Sequence, residues 1–196
     1  MRPISNFRKV VLALALLCAS NAIAGVTIHY KGKAHSATAV QQALRVARDI
    51  ADRNGWKVED ASLAYTTALR RIDEKAVSYS GSLAGIRIMP APMSEPLDLQ
   101  FGSDFVFQDR IKTQFAGAET HIRVIELLRA LKPYLVEFRV NDESEYWITG
   151  RRADVERAIK TNNETIEIMK KFRPGSRGPE KSKNGRIADL ILAPER

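Results

Sequence analysis

Val26-Thr27-Ile28-His29-Tyr30 alternates apolar and polar side chains, the period of a strand with one buried face. From Thr38 the period changes. Val40, Ala43, Leu44, Ala47, Ile50 and Ala51 recur about every 3.6 residues, which predicts an amphipathic helix. Thr38 and Gln41 have the spacing of a capping box at its start, and Asn54-Gly55 suits a left-handed stop. Residues 59–72 serve two patterns: Ala61, Tyr65, Ala68 and Ile72 fit a helix face, whereas Leu63, Tyr65, Thr67 and Leu69 fit a strand. The helix is the favoured expectation.

Asp73-Glu74-Lys75 interrupts the pattern, and Val77 to Tyr79 reads as a short strand. Ile86 and Ile88, then Leu97, Leu99 and Phe101, alternate around a Pro-rich turn at 90–96 that removes backbone donors. Gly102-Ser103-Asp104 turns the chain into Phe105-Val106-Phe107, while Asp109 to Gly117 has no clean period. A helix follows from about Ala118 to Lys132, where Pro133 stops it, and then a strand from Leu135 to Val140 with Val136, Phe138 and Val140 on one face. Asn141-Asp142-Glu143-Ser144 reads as a turn. Thr149 is positioned to cap a last helix with Val155, Ile159, Asn162, Ile166 and Met169 as its inner stripe. This order predicts one α+β domain, a mainly antiparallel sheet with three or four helices packed on one side.

The two ends change the picture. Arg2, Arg8 and Lys9 precede an apolar run from Val10 to Ala19 that is short for a membrane span, and Ala22-Ile23-Ala24 supplies a small-residue cleavage pattern. Residues 1–24 are therefore expected to be a secretory signal peptide cut after Ala24. Leu17 before Cys18 argues against a lipoprotein site, and cleavage removes the only cysteine. No second apolar run reaches spanning length, so no stable membrane insertion is expected after cleavage. The folded body is assigned to residues 25–172. Residues 173–185, rich in Pro, Gly, Lys and Arg, are expected to be a basic flexible loop, and residues 186–196 a segment that docks back.

The net charge of +8 is unevenly placed. Three cations belong to the leader, and residues 170–196 hold eight Lys and Arg against three acids. Residues 25–169 are left with 20 bases and 20 acids. A neutral body argues against a nucleic-acid domain. The basic tail also lacks interleaved aromatics beyond Phe172.

No H-E-x-x-H, C-x-x-C pair, P-loop, G-x-S-x-G or G-x-G-x-x-G is present, so no catalytic residue, metal site or cofactor is assigned. His29 and His35 lie at no common metal spacing. His121 shares a helix face with Ile125 and Leu128 near the helix start, after the polar segment that carries Lys112 and Gln114. Orphan backbone N–H groups there favour an anion, so Lys112, Gln114 and His121 are one candidate binding cluster. The blander reading has His121 satisfying a buried carbonyl and leaves Lys112 in water. Glu143, Glu145, Tyr146 and Trp147 form a second cluster of carboxylates and amphipathic aromatics after a strand end. There the bland reading is a solvated turn with its aromatics packed beneath the last helix.

Lys112-Thr113-Gln114-Phe115-Ala116, His121, Glu126-Leu127-Leu128 and Asp142-Glu143 with Glu145-Tyr146-Trp147 together resemble a family of bacterial proteins of unassigned function. The likeness runs over about residues 28 to 192 and includes Gly185-Arg186-Ile187-Ala188-Asp189-Leu190-Ile191. It implies no catalytic residue. The functional expectation is an exported, periplasmic or secreted, non-enzymatic binding protein of the inhibitor or immunity type, taking a protein partner or a small acidic ligand. The competing expectation is an exported enzyme in which His121 works with Glu143 or Glu145. Convergence of those side chains in one concave pocket separates the two.

Overall fold

The computed structural model describes residues 25–72 and 75–193; the leader expected over residues 1–24 lies outside them. Strand β1 (Thr27–Ala34) buries Ile28 and Tyr30 and exposes His29 and Lys33, as its alternation requires. It runs past Tyr30 because Gly32 admits a close neighbour. A Cβ there would lie 2.6 Å from the Phe107 ring and 2.8 Å from the Glu137 carbonyl oxygen. β1 is the centre of a three-stranded antiparallel sheet, with Val106–Lys112 on one side and Leu135–Asp142 on the other.

Helix α1 (Ala37–Arg53) starts earlier than the Thr38–Gln41 spacing suggested. Ser36 is the cap, in extended conformation, and its Oγ accepts the Ala39 N–H at 3.2 Å. The His35 N–H is already tied to the Tyr134 carbonyl, so the chain leaves the sheet with Ser36 in the capping geometry. The stop falls where it was expected, with Asn54 at the C-cap and Gly55 at φ +68°.

Residues 59–72 form strands joined at Ala61-Ser62, not a helix. β2 (Lys57–Asp60) and β3 (Leu63–Ile72) both pair with β4 (Lys75–Met89), one 15-residue strand in place of the short Val77–Tyr79 segment. The deciding factor is tertiary. Tyr65 and Leu69 stay 68 % and 77 % exposed, so burial of an apolar face does not select the conformation here, and pairing with β4 satisfies the backbone in register. Arg70 lies 3.7 Å over the Tyr79 ring and anchors this ribbon.

β5 (Leu97–Gly102) pairs with β4. Asp98, between Leu97 and Leu99, is buried and takes two 2.7 Å hydrogen bonds from Arg87. The aperiodic stretch from Asp109 is resolved by its partner: β6 (Val106–Lys112) pairs residue by residue with β1, and a 3-10 turn at Gln114–Ala116 follows. Helix α2 (Gly117–Ala130) drives Val124, Ile125, Leu127 and Leu128 into the core, and Pro133 sits in a second 3-10 turn, Lys132–Tyr134. β7 (Leu135–Asp142) takes in Asn141 and Asp142, which were expected in a turn. Its register slips against β1 between Lys33 and Ala34, so Val136 is 55 % exposed while Phe138 and Val140 still pack against the core.

Thr149 ends a short helix, α3 (Tyr146–Thr149), rather than capping α4 (Arg152–Phe172) from the cap position, which Arg151 holds. The Thr149 hydroxyl oxygen still accepts the Arg151 N–H at 3.2 Å. The tail departs from a solvated linker. Glu180–Lys181 (β8) pairs with Ile187–Ala188 (β9), Arg177 bridges Ile191, and the Lys181 ammonium donates to the Pro92 and Ser94 carbonyls. Arg186 joins Glu95 and Asp109, and Ile187 is buried. The chain is a single-domain α+β fold with mostly antiparallel strands, divided between two sheets and a small terminal ladder. Among the described residues no helix is long and apolar enough to cross a membrane.

Candidate functional site

His121 is sealed inside the fold. It is 0 % exposed on α2, and both ring nitrogens are engaged: Nδ1 lies 2.7 Å from the Thr113 hydroxyl, and Nε2 lies 2.9 Å from Ser144 Oγ and 3.1 Å from Asp142 Oδ1. Asp142 also accepts the Ser144 N–H, the Ser144 hydroxyl and the Trp147 N–H. The network ties the start of α2, the end of β7 and the start of α3 together.

Ser, His and Asp meet here, but not as a nucleophile–base–acid chain. In such a chain the hydroxyl and the carboxylate sit on opposite ring nitrogens. Here both crowd Nε2, the Ser144 hydroxyl bonds to the carboxylate, and all three side chains are buried. A substrate has no approach. The arrangement is a packed polar node.

Burial pushes the Asp142 carboxyl up, but the hydrogen bond and charge of His121, with the Trp147 and Ser144 N–H groups, outweigh that and hold it below the ordinary carboxylate range. A depressed folded-state value means that the node contributes stability above the unfolded value of about 3.9 and loses it as pH falls through the folded value. We therefore expect Asp142→Asn to flatten the acid limb of the stability curve below about pH 4. An acid limb of unchanged slope in urea unfolding at stepped pH would count against this linkage.

The anion cluster expected at the start of α2 is filled from within. Lys112 forms a 2.6 Å ion pair with Asp189. Gln114 accepts the Val26 N–H at 3.1 Å and donates to Asn163 at 2.9 Å. Glu143 accepts the Thr27 N–H at 2.9 Å and lies 3.7 Å from His29. Glu145 is exposed, with a left-handed backbone at φ +65°. Tyr146 is buried, and its carbonyl oxygen accepts from Arg129. Trp147 packs edge-on against Phe138 with centroids 5.7 Å apart, and Lys132 and Arg129 lie 4.8 and 5.5 Å from its ring centre. Asp142 thus links the buried His121 to Trp147, which borders a cavity.

That cavity was not anticipated. A concavity of about 550 Å³ is lined by His29, Lys31, Gln108, Arg139, Asn141 and Trp147, among others. Across the β6–β1–β7 sheet, paired residues share a face: Arg110, His29 and Asn141 form one row, Gln108, Lys31 and Arg139 the next, Val106, Lys33 and Glu137 the third. These nine positions carry Lys31, Lys33, Arg110 and Arg139 with His29, against the single carboxylate of Glu137. None of those four cations forms an ion pair among the described residues. Asp109 also lines the concavity, neutralised by Arg186 at 2.6 Å. The signal in the chain was the alternation of basic side chains at 29, 31 and 33. It becomes a surface only when β6 and β7 add their rows.

Among the described residues no group of three or more His, Cys, Asp or Glu is placed to hold a metal ion, His29 and His35 included. No family model, curated protein or solved structure matches this chain.

Proposed function

We propose that this chain is an exported, non-enzymatic binding protein, of the inhibitor or immunity type, that holds an acidic segment of a partner protein on the β6–β1–β7 sheet beside Trp147. One observation carries the reading: four cations without an ion pair among the described residues gather on one sheet face of a body whose bases and acids balance overall, and two of them, Lys31 and Arg139, line the concavity that Trp147 borders. Alternate residues of a strand stand about 6.8 Å apart, so Lys33, Lys31 and His29 match alternate carboxylates of an extended partner. Trp147 adds rigid apolar area at the edge. The enzyme reading required His121 in an open pocket with carboxylates, and its burial gives that reading no support.

The test uses three probes on the purified protein: a ten-residue Glu/Asp-rich peptide, its Gln/Asn counterpart and a ten-nucleotide single strand. The acidic peptide should bind with an affinity that falls as salt rises, and the neutral one should not. Lys31 and Arg139 lie on the surface, so the double change to Gln should leave the fold intact and weaken the acidic peptide at least about tenfold, or about 1.4 kcal/mol. Trp147→Ala should weaken it several-fold. Equal binding by the double variant, or preference for the nucleotide strand, overturns the proposal.

A further inference from the structure

We infer that cleavage after Ala24 makes a structural group: the new α-ammonium of Gly25 pairs with the buried carboxylate of Asp189 and fastens the C-terminal segment to the domain. This rests on the expectation that residues 1–24 are a removable leader. Gly25 is buried and closely surrounded. A Cβ on it would lie 2.6 Å from Lys112 Cε, 2.7 Å from Lys112 Nζ and 2.8 Å from Gln114 Oε1. Lys112 Nζ is in turn 2.6 Å from Asp189 Oδ2. Gly25 therefore stands one lysine head group away from the tail carboxylate.

The other oxygen of that carboxylate is the second observation. Asp189 Oδ1 is the single buried side-chain oxygen or nitrogen among the described residues that has no hydrogen-bond partner. The Asp189 side chain is 9 % exposed, and an acceptor so placed needs a donor. In the uncut chain the Gly25 nitrogen is an amide with one hydrogen. Hydrolysis of the Ala24–Gly25 peptide bond puts a carboxylate on Ala24 and an amine on Gly25, and that amine is protonated at neutral pH. An ammonium has three hydrogens to donate, two more than the amide it replaces. The two cations are then shared, Lys112 on Oδ2 and Gly25 on Oδ1.

The adjoining chain is already held. The Val26 N–H donates to Gln114, and the Val26 carbonyl accepts the Thr113 N–H at 3.1 Å, so the new end has little room to swing away. The pair reaches the binding surface through the tail, because Arg186, three residues before Asp189, neutralises the Asp109 that lines the concavity.

The experiment begins with the chain expressed with its leader, recovered from the envelope fraction and sequenced from its N terminus. An intact Met1 or a lipid-modified Cys18 overturns the leader reading and the latch together, and a start at any other residue than Gly25 overturns the latch. Given a Gly25 start, hydrogen exchange of the Arg177 and Ile191 amides, which bridge the tail at 3.0 and 2.7 Å, reports how tightly the segment is held. Four processed proteins are compared: the natural end and an end extended by one serine before Gly25, each with Asp189 or with Asp189→Asn. The extension carries the ammonium about 3.8 Å away. We expect it to speed exchange at least fivefold when Asp189 is present and to have little effect once Asp189 is Asn. An equal effect in both backgrounds, or none in either, leaves Asp189 paired with Lys112 alone and overturns the latch while the Gly25 start stands. Should Asp189→Asn fail to fold, the serine extension on the unaltered carboxylate decides by itself: unchanged exchange overturns the proposal.

Discussion

Leu128→Ala should lower the free energy of unfolding by about 2–5 kcal/mol, read as a fall in the urea midpoint at constant slope. Leu128 is 0 % exposed on α2, in a core that also takes Ile28 and Tyr30 from β1, Ala43 and Ala47 from α1, and Leu97 and Leu99 from β5. Elements from across the chain converge on it, so the cavity left by alanine cannot close by moving one loop. The size of the loss within that range measures how far the surroundings collapse. A loss below about 1 kcal/mol would mean that α2 does not bury this face.

His121→Leu should cost a similar amount, about 3–5 kcal/mol, for a different reason. Leucine fills the space, but Asp142 then remains buried without the imidazole that holds its carboxyl below the ordinary range. The Thr113 and Ser144 hydroxyls each lose a partner as well. Breaking a buried pair by removing one member is expensive because the charge left behind stays out of water. The loss should therefore shrink as pH falls and Asp142 takes up a proton. In the His121→Leu, Asp142→Asn double variant it should be smaller than in His121→Leu alone. A pH-independent loss in the single variant would assign the cost to packing instead.

The candidate site was partly legible. Helical spacing turned His121 inward with Ile125 and Leu128, and it is buried there, but its ring nitrogens meet the Thr113 and Ser144 hydroxyls and the Asp142 carboxylate rather than the backbone carbonyl that the bland reading supposed. Lys112 was expected in water by that same reading, and it is instead paired with Asp189, 77 residues further along the chain. No local pattern announces such a partner. The same holds for the basic face, where Lys31 and Arg139 are neighbours only because β7 pairs with β1 across more than 100 residues.

The chain by itself determined the elements whose apolar periodicity is long and unshared: α1, the core stripes of α2 and α4, the alternation of β1, and the left-handed stop at Asn54-Gly55. In these a side chain's face follows from its distance along the chain, and burial of one stripe decides the conformation. Tertiary structure decided β2, β3, the long β4 and the extent of β6. Their residues serve helix and strand patterns equally or follow no clean period, and only a partner strand in register satisfies their backbone. It also decided which charges are free. An ion pair or an open basic row depends on which distant strand arrives beside it, and sequence spacing carries no record of that distance.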